Sequence, residues 1–99
     1  MPTRAADFTP HHGIHPAPRQ SPCHPVDWRP SLPRADRVQV RKHTCACRKV
    51  VYELCTTAGL IFIRRQRREN GVINVHESTW LRTPEGERLW AAILAGHAR

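Results

Sequence analysis

Ninety-nine residues, with eight of the nine prolines before residue 34, leave room for one folded unit of about 60 residues, too small for an extensive core or a deep water-excluding pocket. Sixteen lysines and arginines against eight acids give a net charge of +8 with the histidines neutral, and a surface of that sign attracts polyanions. No stretch approaches the roughly 20 apolar residues of a membrane span and the amino terminus carries no apolar leader, so a soluble cytoplasmic protein with reduced thiols is expected.

Residues 1–36 are rich in Pro, His, Ala, Arg and Ser and show no apolar periodicity. Such a segment buries too little to offset the entropy of ordering it, and it reads as a disordered tail of polyproline II character. Ile14, Val26, Trp28 and Leu32 are too scattered for a core, with Trp28 the residue best suited to anchor the tail on a partner. Residues 37–99 then form the domain. Of the total charge, residues 38–99 hold eleven basic and five acidic side chains, or +6, so the polyanion attraction belongs to the folded part.

Within that domain Arg37–Arg41 alternates at period two, as a short edge strand or the entry to the fold. The β-branched and aromatic content of Lys49–Cys55 favours a strand. Val51, Leu54, Cys55 and Ala58 also fit one helical face, running from a Thr44 cap to a Gly59 stop. Leu60–Arg68 and Val72–Glu77 flank Asn70-Gly71, the strongest local signal for a hairpin. A two-residue loop there pairs Gln66 with Val75; a three-residue loop pairs Arg65 with Val75 and turns every side chain to the other face.

Thr83-Pro84-Glu85 has a capping hydroxyl, a first-turn proline and an acid suited to the positive end of the dipole, which predicts a helix over residues 84–95 stopped by Gly96. Its stripe of Leu89, Trp90, Ile93 and Leu94 would cover Val50, Tyr52, Phe62, Ile63, Ile73 and Val75, with Trp80 and Leu81 closing one end of the core. The expected fold class is therefore α+β: a disordered Pro/His-rich tail, then a three-stranded antiparallel sheet packed against one carboxy-terminal helix. In architecture, though not in motif, that order resembles the sheet-plus-helix DNA-binding domains of the ethylene-response-factor type. The resemblance implies nucleic-acid contact through the sheet.

Arg64, Arg65, Arg67 and Arg68 crowd the hairpin, while Arg41, Lys42, Arg48 and Lys49 precede it as supporting charges. Arginines on a β-ribbon can neutralise phosphates and pair with guanine, so a small nucleic-acid-binding protein of regulatory or accessory type is the leading expectation. On a strand Arg65 and Arg67 share one face while Arg64, Gln66 and Arg68 share the other, so one set alone can meet a groove. The alternative is a non-enzymatic protein-interaction module or small homo-oligomeric adaptor, docking through the proline-rich tail or a sheet edge.

No phosphate-cradling glycine loop, nucleophile elbow or paired carboxylates are present, and a lone cysteine with His76 makes a poor catalytic pair, so no enzyme is expected. Nor is a resident metal or cofactor. Zinc is the metal these residues would suit, with His43, Cys45, Cys47 and a fourth ligand such as Cys23 or a tail histidine as the candidate set. The Cys-x-Cys spacing is shorter than usual for zinc modules, and Cys55, eight residues beyond Cys47, lies about 26 Å away along a strand. His11, His12, His15, Cys23 and His24 form a second, low-specificity cluster of soft ligands.

Overall fold

The computed structural model describes residues 13–31 and 37–99; the reading of residues 1–12 and 32–36 as disordered lies outside the described residues. The elements are β1 (Arg29–Pro30), β2 (Gln39–His43), β3 (Val50–Thr57), β4 (Leu60–Glu69), β5 (Val72–Glu77) and α1 (Thr83–Leu94). The strands form one antiparallel sheet in the order β1-β5-β4-β3-β2. The fold is α+β, and the expectation of three strands is corrected to five. β2 matches the alternating run with a shift of two residues, but β1 is two residues long, ends in proline and carries no periodicity to read. Proline lacks the N–H of a ladder and is tolerated there because β1 is an edge.

Residues 50–57 are a strand, which removes the helical alternative. Both tight turns of the meander have two residues. Asn70 and Gly71 adopt φ of 51° and 76°, as a type I′ turn requires, and Gln66 pairs with Val75. Ala58 and Gly59 do the same between β3 and β4 at φ of 50° and 78°. In α1 the cap position is Arg82, with Thr83 already helical and no side-chain cap bond, so the expected Thr83 cap is not formed. Its carboxy terminus ends as anticipated at Gly96 (φ 82°), where the N–H groups of Gly96 and His97 donate to Ile93 and Ala92 oxygens at 3.1 and 2.8 Å.

Strand alternation divides the apolar side chains between two faces. Tyr52, Leu54, Ile61 and Ile63 lie under the helix with Trp90, Ile93 and Ala98. Gly86 lets the helix approach closely, since a Cβ there would fall on the Ile61 side chain. Phe62, Ile73 and Val75 belong to the opposite face, contrary to the expectation that α1 covers them. Phe62 is buried there by Trp80, with ring centroids 5.4 Å apart and planes at 10°, while Ile73 stays exposed.

Residues 13–31 pack against the sheet and helix instead of forming a free tail. Aliphatic patterning could not reveal this because the segment is held mainly by its backbone. Ala17 N–H donates to Leu94 O, an orphan carbonyl of the helix end, at 2.8 Å. Gln20, His24 and Val26 donate to Gly96, His97 and Arg99 oxygens at 2.9 Å each. Trp28, read as a partner anchor, is half-buried against Tyr52 at a centroid distance of 6.0 Å.

Candidate functional site

The register of the sheet sorts the basic side chains into three groups. Arg64 Nε donates to Glu53 Oε1 at 2.8 Å, and Gln66 Nε2 donates to the same oxygen at 3.2 Å. Partial burial works against the Arg64 charge, but the Glu53 carboxylate outweighs it and holds the guanidinium above its ordinary pKa. Arg65 lies on the helix side with its guanidinium 4.5 Å over the Trp28 ring, and burial lowers its pKa. Both arginines are committed within the fold.

Arg41 and Lys42 sit on the edge strand β2, where Arg41 Nε donates to Thr56 Oγ1 at 3.1 Å and Lys42 Nζ lies 4.0 Å from Glu87 Oε1. A register shift between Val40 and Lys42 kinks this edge, and the kink and its cations guard it against pairing with another strand. Lys42 pairs with Leu54, four residues along β3 from Val50, so these cations stand about 13 Å from the far end of that strand.

That far end carries the third group. Val50 pairs with Arg67, and Arg68 N–H donates to Lys49 O at 2.8 Å. Arg48, Lys49, Arg67 and Arg68, all exposed, are thereby brought to one end of the β3–β4 pair from two chain segments about 20 residues apart, with Arg67 on the helix face of the strand and Arg68 on the opposite one. Among the described residues none of the four makes an ion pair. Beside them a groove of about 370 Å³ runs between the Pro16–Pro18 segment and Arg48–Val50, lined also by Tyr52 and Arg99.

The turn leading into this cluster carries Cys45 and Cys47. Parallel bridging of Ile14 to Thr44 and the Cys45 N–H bond to Ile14 O, at 2.8 Å, bring the amino-terminal segment alongside. His15, Cys45 and Cys47 thus place their ligand atoms within 4.8 Å of one another, with His15 Nε2 3.1 Å from Cys47 Sγ. Cys45 is buried; His15 and Cys47 are exposed. Hydrogen bonds from the backbone N–H groups of Cys47 and Gly13 lower the Cys45 thiol to about 6, whereas the neighbouring Cys45 raises Cys47.

Two members of the expected ligand set, Cys45 and Cys47, are therefore together, while His43 and Cys23 stand apart from them. The His43 ring meets Thr44 O at 3.0 Å. Cys55 is buried on β3 with its thiol pushed up to about 11 by desolvation, which makes it unreactive. His15 was visible only as one of several tail histidines, because nothing local records that residues 30 apart will meet. Comparison with known protein families, curated proteins and solved structures returned no match. No helix of the described residues is long and apolar enough to cross a membrane.

Proposed function

We propose that the protein binds nucleic acid, as a small regulatory or accessory factor, through phosphate contacts made by Arg48, Lys49, Arg67 and Arg68. The observation that carries this reading is the joining of these four exposed cations, none of them in an ion pair among the described residues, at one end of the β3–β4 pair by the Arg68 N–H bond to Lys49 O. Arg67 and Arg68 stand on the β4 ladder, and Arg48 and Lys49 in the bend that the Arg68 N–H bond to Lys49 O ties to it, so less ordering is needed when they meet a phosphate backbone. Arg64 and Arg65 leave the contact set, since both are half-buried and held by an ion pair or a cation–π contact within the fold, whereas Arg68, which donates to Ala46 O at 3.2 Å, is exposed. Arg41 and Lys42 form a separate, secondary patch.

Four phosphate contacts predict a slope of log K against log salt of about −3.6 on duplex DNA, or roughly a hundredfold loss between 50 and 200 mM salt. Fluorescence anisotropy with a labelled duplex and a labelled single strand measures this directly. Arg67→Ala should weaken binding and reduce the slope by about 1, and Arg67→Ala with Arg68→Ala by about 2. A flat salt dependence, or no binding at low salt, rejects the proposal. A pull-down repeated with nuclease separates the other class of partner, because capture that survives digestion would belong to a protein-binding surface.

A further inference from the structure

The structure assigns a metal site to His15, Cys45 and Cys47, and we propose that it holds one zinc ion through His15 Nε2 and the two thiolates, with a fourth position open to water. Zinc bound at roughly 2.3 Å to sulfur and 2.0–2.1 Å to nitrogen in tetrahedral geometry sets its ligand atoms about 3.6–3.8 Å apart. The three donors already lie within 4.8 Å of one another. The 3.1 Å separation of His15 Nε2 and Cys47 Sγ therefore has to widen by about half an ångström as the ion enters. His15 and Cys47 are exposed and have room for that adjustment.

The surroundings of the donors are those of a supported site. The turn between the cysteines is braced by Arg68 Nη1, which donates to Ala46 O at 3.2 Å. Thr44, just before the turn, is fixed by its own N–H bond to Tyr52 O and by the Tyr52 N–H bond to its hydroxyl, both 2.9 Å. Two thiolates and one imidazole form a soft donor set that suits zinc and disfavours magnesium or calcium.

A zinc ion here would tie the amino-terminal segment to the turn before β3, closing a loop of about 30 residues much as a disulfide would. The assignment stands independently of nucleic-acid binding. Its test uses the full chain, reduced and anaerobic, titrated with Co²⁺ as a spectroscopic stand-in for zinc. The expected result is one equivalent bound with a thiolate-to-cobalt charge-transfer band, displaced by one equivalent of Zn²⁺, and a melting temperature raised by zinc. His15→Ala and Cys47→Ser alter exposed positions and should keep the native circular dichroism while weakening zinc binding about tenfold or more. The assignment is overturned if the charge-transfer band is missing, if both variants bind zinc like the parent, or if the reduced protein binds no metal and the Cys45 and Cys47 thiols are lost to a disulfide on exposure to air.

Discussion

The guanidinium of Arg65 stands 4.5 Å over the ring of Trp28, so a residue of the proline-rich segment is clamped between β4 and Tyr52. The contact combines cation–π attraction with aromatic packing on the rim of the core. Fully buried tryptophans cost about 3–5 kcal/mol on truncation, and a half-buried one correspondingly less, so Trp28→Ala should destabilise by about 2–3 kcal/mol. Trp28→Phe, which retains a π face, should recover part of that loss. Urea denaturation followed by circular dichroism measures both; an unchanged midpoint for Trp28→Ala would mean that the segment contributes nothing to the fold.

Trp90, on the helix, is 4% exposed in the core cluster that also holds Ile63 and Ala98. Its truncation to alanine should cost about 3–5 kcal/mol, comparable with the whole stability of a domain this small, and leave the chain largely unfolded at room temperature. Arg67→Ala, by contrast, removes an exposed charge without opening a cavity and should move stability by less than about 0.5 kcal/mol. Near-ultraviolet circular dichroism of the two variants side by side provides the check, and native-like signal from Trp90→Ala would contradict the packing described.

Ala58 holds a left-handed backbone, φ 50°, at the first position of a turn that its counterpart hairpin fills with Asn70. A Cβ in that region costs about 1–2 kcal/mol, and asparagine recovers part of it through local hydrogen bonding. Ala58→Asn should therefore stabilise the protein by about 0.5–1 kcal/mol, seen as a higher denaturation midpoint with an unchanged slope. A lower midpoint would show that the strained turn is compensated by contacts that asparagine disturbs.

What the sequence determined by itself was local. The Asn70-Gly71 turn, the strands on either side of it and the helix before Gly96 were legible because each rests on residues within a few positions of one another: positive φ at glycine and asparagine, period-two alternation, and a four-residue apolar stripe. The charge excess and its location in the folded part were equally plain. Tertiary structure alone decided which cations are available. Arg64 and Arg65 are neighbours of the same type, yet one is paired with Glu53 and the other stacked on Trp28, because strand alternation sends them to opposite faces with different partners. It also decided that Pro16–Pro30 joins the fold and that His15, not His43, meets Cys45 and Cys47. Those contacts run through backbone hydrogen bonds between segments 30 to 80 residues apart, and main-chain groups are alike in every residue except proline, so no side-chain pattern records them.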